Sequence, residues 1–338
     1  MKWIFYSLLA TITTVSLTSC DADMQQEPSE VTNANLDSLL QAHPDSVPLL
    51  VKRGEVNFKE YEYDLALQDA AKAYRLDKKN QSAKLLYAEV INNRPQRTPD
   101  EVATAQVLYK EILKKDKKNT RALVGLASTY SFQIDFEKSF NYINKALMID
   151  RHYRNAYVLK GSNFMQMGDK KKAISSYETA VQQDPKFYEA YFFLAQIYEQ
   201  DGNPQCVDYY QNAYELRPKS REIRYNLAYA KQTYNDINGA VDLYRKMTKD
   251  TIDFYVNRGY FHQGYIKQFY VNDVDSAIFF YKKALKAEPR HVESWHNLGV
   301  CYDTEGDKTQ ALKHFAKALK YNPEFELSRN YADSIRLL

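Results

Sequence analysis

Residues 295–323 read Trp295-His-Asn-Leu-Gly299-Val-Cys-Tyr302-Asp-Thr-Glu-Gly306-Asp307-Lys-Thr-Gln-Ala311-Leu-Lys-His-Phe315-Ala-Lys-Ala318-Leu-Lys-Tyr-Asn-Pro323. Small and apolar residues recur at helical spacing on both sides of Gly306-Asp307, and Pro323 closes the second half. The pattern predicts two short amphipathic helices joined by a tight turn. It recurs upstream: Ala156-Tyr-Val-Leu-Lys-Gly161 leads to Ala173, Tyr177, Ala180 and Pro185. Ala190-Tyr-Phe-Phe-Leu-Ala195 leads to Cys206, Gln211, Ala213 and Pro218. One landmark, the late small residue of the second helix, falls at Ala73, Ile112, Ala146, Ala180, Ala213, Met247, Ala284 and Ala318, in steps of 39, 34, 34, 33, 34, 37 and 34 residues.

A repeat of 34 residues with this pattern resembles the tetratricopeptide repeat, W-x2-L-G-x2-Y followed by A-x3-F-x2-A and P. The resemblance implies an all-α fold, a right-handed α-solenoid of stacked antiparallel helical hairpins. The long step holds Asn92-Asn-Arg-Pro-Gln-Arg-Thr98-Pro99, a loop in which Thr98 reads as N-cap and Pro99 as the first helical residue. Gly161, Ala195, Ala228, Gly264 and Gly299 let the first helix of each hairpin approach its partner. Ala66, Ala105, Ala173, Ala240, Ala277 and Ala311 do the same from the second helix. Rings such as Tyr130, Phe164, Tyr177, Tyr198, Tyr244, Tyr302 and Phe315 fill the space between. About eight repeats span the array at 33–338, with capping helices at both ends to cover the terminal apolar faces. Leu36, Leu39 and Leu40 belong to the N-terminal cap.

The first residues read as an address. Met1-Lys2 precedes a mostly apolar run from Trp3 to Leu17, followed by Leu17-Thr-Ser-Cys20. This is a secretory-signal pattern, and the run is short for a bilayer span. Leu-Thr-Ser-Cys resembles the lipobox of bacterial lipoproteins. That resemblance implies a signal peptide at 1–19, lipidation of Cys20 and an acidic tether at 20–32. The expected protein is thus a tetratricopeptide repeat lipoprotein of the bacterial cell envelope, anchored to a membrane, most readily the outer membrane.

Charge points away from nucleic acid: Lys+Arg 46 stand against Asp+Glu 43, without the cationic excess that phosphate binding needs. The cysteines Cys20, Cys206 and Cys301 are too few and too scattered for a disulfide framework or a zinc cluster, and the latter two read as small buried hydrophobes. No phosphate loop, H-E-x-x-H or G-x-S-x-G occurs, and none of the six histidines pairs with another at metal spacing on one helix face. The chain is therefore expected not to be an enzyme, to need no cofactor or metal, and to bind proteins.

In tetratricopeptide proteins the first helices line a concave groove at offsets 2, 5, 6, 9, 12 and 13 of each repeat. Starts at 188, 221 and 257 place Phe192, Gln196, Tyr225, Asn226, Tyr229, Arg258, Phe261, His262, Tyr265 and Phe269 there, followed by His296 and Asn297. Aromatics and Arg are the residues that dominate protein-binding hot spots. The expected function is a non-catalytic adaptor that recruits envelope proteins through this groove. A receptor for a small ligand, peptide or glycan, using the same aromatics as a stacking platform, is the alternative.

Overall fold

The computed structural model describes residues 33–249 and 254–337, and every regular element among them is an α-helix. The expected signal peptide, Cys20 and the tether lie outside the described residues. The chain forms two compact units, Met1–Val90 and Ile91–Leu338.

In the first unit, α1 (Asn33–Ala42) precedes α2 (Val47–Lys59) and α3 (Tyr63–Leu76), and α4 (Gln81–Asn93) crosses the boundary after Val90. Leu40, Leu50, Val51, Ala66, Ala70, Ala73, Ala83, Leu86 and Val90 form its core. Leu36 and Leu40 are buried as a cap requires, whereas Leu39 is 48% exposed and covers nothing. A charged clasp joins the helices: Arg53 of α2 donates through Nε and Nη2 to both carboxylate oxygens of Asp69 on α3, at 2.8 and 2.7 Å. Its Nη1 reaches Asp37 of α1 at 2.6 Å. The fork of a guanidinium suits two carboxylates at once.

The second unit opens with α5 (Pro99–Lys115). Thr98 and Glu101 cap it reciprocally: Glu101 N–H donates to Thr98 Oγ1 at 3.2 Å, and Thr98 N–H donates to Glu101 Oε2 at 2.7 Å. Six hairpins follow: α6 (Thr120–Phe132) with α7 (Phe136–Ile149), α8 (Arg154–Gln166) with α9 (Lys170–Gln183), α10 (Tyr188–Gln200) with α11 (Cys206–Leu216), α12 (Arg221–Thr233) with α13 (Ile237–Met247), α14 (Phe254–Phe269) with α15 (Val274–Ala287), and α16 (Val292–Thr304) with α17 (Lys308–Tyr321). The helix α18 (Glu326–Leu337) packs Ala332 and Ile335 onto Ala311 and Phe315.

A small residue beneath a ring sets the spacing inside the hairpins. A Cβ at Gly161 would lie 2.7 Å from the Tyr177 ring, one at Gly264 2.9 Å from Tyr281, and one at Gly299 2.7 Å from Phe315. No side chain fits in that gap without moving the ring. The late landmarks Ile112, Ala146, Ala180, Ala213, Met247, Ala284 and Ala318 are buried to within 1%. In α11 the ring of this set is Tyr210, one residue before the expected Gln211; Cys206, Tyr210 and Ala213 share a buried stripe, and Gln211 lies off it.

The turns between hairpin partners follow one rule. A residue in the left-handed region follows the first helix, and the next residue caps the second, except after Gly202, where α11 starts only at Cys206. Gly168, Gly202 and Gly306 fill the left-handed position at φ +78°, +63° and +83°. Around Gly168, its own N–H bonds Met165 O at 3.0 Å and Asp169 N–H bonds Phe164 O at 2.9 Å, satisfying the last carbonyls of α8. Asp169 then caps α9 by accepting from Lys172 N–H. Elsewhere the left-handed residue is not glycine: Tyr61 at φ +64°, Ile134 at +61°, Asn235 at +69° and Asn272 at +58°. The second helices stop before Pro185, Pro218, Pro289 and Pro323 because a residue preceding proline is pushed out of helical geometry; Asp184, Glu288 and Asn322 are all extended.

Candidate partner-binding groove

The first helices α10, α12, α14 and α16 carry the expected strip. On α10, Phe192, Gln196 and Glu199 fall at spacings of four and three residues and so share one face. On α12, Glu222, Tyr225 and Tyr229 do the same, and on α14, Arg258, Phe261, His262, Tyr265 and Phe269. Helix α14 begins at Phe254, ahead of the residue 257 that opens the repeat, and thereby adds Phe254 and Tyr255 to this region.

The side chains lie at different depths. Tyr229 and Phe269 are 43% and 55% exposed. Phe192, Gln196, Tyr225, Asn226, Arg258, Phe261 and Tyr265 are half-buried. His262, His296 and Asn297, expected to face a partner, are buried and present almost no surface. Their neighbours account for this. His262 stacks face to face on Tyr244 of α13, ring centroids 4.8 Å apart at an interplanar angle of 3°. Tyr225 and Tyr229 lean on the same imidazole, each at 5.8 Å. His296 is enclosed by Phe315, Phe325 and Tyr331, and its Nδ1 lies 3.0 Å from the Ser328 hydroxyl, so it seals the seam between α16 and α18. Asn297 donates to the Tyr281 hydroxyl at 3.1 Å.

The rings form a connected ladder across successive first helices. Tyr225 lies 6.4 Å from Tyr229 and 6.2 Å from Tyr255; Phe261 lies 5.9 Å from Tyr281 and 4.9 Å from His291; Tyr265 lies 4.6 Å from Phe269. Such contacts fix side chains that would otherwise lose entropy on binding, which preorganises the surface. Arg258 is held in place as well: its Nη1 is 3.0 Å from His291 Nε2, and its guanidinium stands 4.8 Å above the Phe254 ring.

Burial dominates the electrostatics. It pushes the His262 imidazole down to about 3, with the Arg258 cation, and His291 once protonated, acting the same way. It pushes His291 down to about 4, against the pull of Glu293, and His296 to about 4. All three are neutral at pH 7, and Arg258 is the cation among the strip residues of α14. The Tyr225 hydroxyl is raised, first by burial. Among the described residues, no group of His, Cys, Asp and Glu could hold a metal ion.

Two elements of this surface escaped sequence reasoning. Glu199 stands at offset 12 of its repeat, an offset that groove placement already included. Tyr255 lies ahead of the repeat start, and no signal in the repeat pattern places it.

Family models for the tetratricopeptide repeat match residues 120–153 and 292–325, and one described as TPR repeat matches 161–202. Among curated proteins, the chain is 24% identical over 194 residues to anaphase-promoting complex subunit 3 of Schizosaccharomyces pombe, covering 57% of this chain and 29% of that one. It is 25% identical over 221 residues to the BBSome complex member BBS4 of Bos taurus, covering 64% and 41%. The chain thus spans well under half the length of these relatives. The solved APC/C hetero-tetramer Cut9-Hcn1 superposes with a TM-score of 0.57 at 16% identity, over 90% of this chain and 58% of that one, a likeness of fold alone. The described residues form an all-α array of helical hairpins that carries tetratricopeptide repeats at 120–153, 161–202 and 292–325, repeats of a kind that implies a protein-interaction scaffold.

Proposed function

We propose that this protein is a non-catalytic adaptor that holds a partner polypeptide against the aromatic strip of α10, α12 and α14, and that lipid on Cys20 anchors it in a bacterial envelope, most readily at the outer membrane. The observation that carries the groove reading is the ring ladder around Tyr225 and Tyr229. Tyr229 keeps 43% of its surface exposed although it touches both Tyr225 and the buried His262. A rigid, half-exposed aromatic set on buried supports is what a binding hot spot requires. The anchor reading rests on the apolar run before Leu17-Thr-Ser-Cys20.

Affinity capture from gently crosslinked cells tests the groove. The wild type should recover specific envelope proteins, and the Tyr225→Ala/Tyr229→Ala variant should lose them while staying folded, with its helical content kept and its melting temperature lowered by the lost packing on His262. Recovery of the same proteins by both would refute the groove reading. Metabolic labelling with a fatty acid tests the anchor: label should enter the wild type and not Cys20→Ser.

A further inference from the structure

The groove contains a half-buried carboxylate without a counter-ion. Glu199 closes the groove face of α10, and its Oε2 accepts the Tyr210 hydroxyl at 2.6 Å. Among the described residues no Lys, Arg or His pairs with Glu199, or with the exposed Glu222 on the neighbouring helix. The charge of Glu199 is felt by several hydroxyls around it. Burial first, and then this carboxylate, raises Tyr210; at Tyr225 burial raises the hydroxyl, Arg258 opposes it, and Tyr229 and Glu199 add to the rise, and at Tyr234 the carboxylate adds to burial and Cys206. Glu199 is thus bonded to Tyr210 of α11 and within electrostatic reach of Tyr225 on α12 and of Tyr234 in the turn after it. A carboxylate held among rings is short of solvation, and an arriving cation restores what water would have supplied. The faces of Tyr225 and Tyr229, inclined at 25° with centroids 6.4 Å apart, add a second attraction for the same charge. Arg258 does not fill this role, because it is engaged with His291 and Phe254.

We infer that this end of the groove accepts a Lys or Arg side chain of the bound polypeptide, with its cation between the Glu199 carboxylate and the rings of Tyr225 and Tyr229. The inference rests on the groove reading above and narrows the partner to a segment carrying an exposed basic residue beside apolar ones.

Fluorescence anisotropy on the full chain tests it with two labelled peptides, one of four Gly-Leu-Lys repeats and one of four Gly-Leu-Glu repeats. The lysine peptide should bind, and the glutamate peptide should bind at least about tenfold more weakly. Glu199→Gln should lower affinity for the lysine peptide about tenfold, the size of one charge-assisted contact. Gln keeps an oxygen for the Tyr210 hydroxyl, so its melting temperature should match the wild type. Glu324→Gln, remote from the groove, should change nothing. Absence of lysine-peptide binding, equal affinity for both peptides, or equal losses in the two Glu variants would overturn the inference. The capture experiment separates the two ideas: partners lost with Tyr225→Ala/Tyr229→Ala but kept with Glu199→Gln leave the groove reading standing and remove this one.

Discussion

Hairpins α14–α15 and α16–α17 solve one packing problem with different sequences. In both, a glycine of the first helix lies beneath a ring of the second: Gly264 under Tyr281 and Gly299 under Phe315. In α16–α17 the remaining positions follow the repeat, and Gly306 takes the left-handed turn. In α14–α15 the turn residue is Asn272, the first helix starts early at Phe254, and the positions around the glycine hold Phe261, His262 and Tyr265. The repeat model matches the first of these sequences at 292–325. The difference teaches that the glycine–ring contact sets the hairpin, while the other face of the first helix is free to carry a surface with its own purpose.

The largest expected effect tests the shared part. Gly264→Val and Gly299→Val should each destabilise by about 3 kcal/mol, because the new side chain collides with a buried ring. Chemical denaturation of the second unit checks this, and unequal losses would mean that the two hairpins do not share the contact.

The next effect separates the two surfaces by pH. The folded-state values of His262, His291 and His296 lie below the ordinary 6.5. As pH falls below about 6.5, the unfolded chain takes up protons that the folded chain refuses, so stability declines towards acid and is unaffected above that value. At pH 5 each buried imidazole should cost on the order of 1–2 kcal/mol. His262→Gln should flatten the melting temperature between pH 7 and about 5 relative to the wild type, by the share of one imidazole. An unchanged slope would show that His262 is solvated.

The smallest effect concerns turns. Ile134 is β-branched, 71% exposed and at φ +61°, a region in which glycine and asparagine sit readily and a β-branched residue is strained. Ile134→Gly should stabilise by about 1 kcal/mol, and Gly168→Ala should destabilise by a similar amount. A thermal melt of each distinguishes a strained turn from a relaxed one.

Much of this hairpin chemistry was legible in the sequence, since Gly161, Ala180, Gly299 and Ala318 belong to a pattern whose period is fixed by chain geometry. Depth in the groove was not. Helical offsets state which face of α14 carries His262, but burial depends on Tyr244 coming beneath it from α13 and on Tyr225 and Tyr229 leaning over it from α12. His296 was misjudged for a similar reason: α18 supplies Ser328 and Tyr331 against it, and a cap lies outside the repeat pattern. In α11 the ring is Tyr210 and not Gln211, because Cys206 stands where other repeats have alanine and its ring follows four residues later, as Tyr177 follows Ala173 and Phe315 follows Ala311.

The central claim is that partners meet the first helices and not the second. Its most direct test is site-specific photo-crosslinking in cells, with a photoreactive residue at Tyr229 on α12 or at Phe279, which is 55% exposed on α15. Discrete crosslinked partner bands are expected from position 229 and none from position 279. The reverse pattern, or the same bands from both, would contradict that claim.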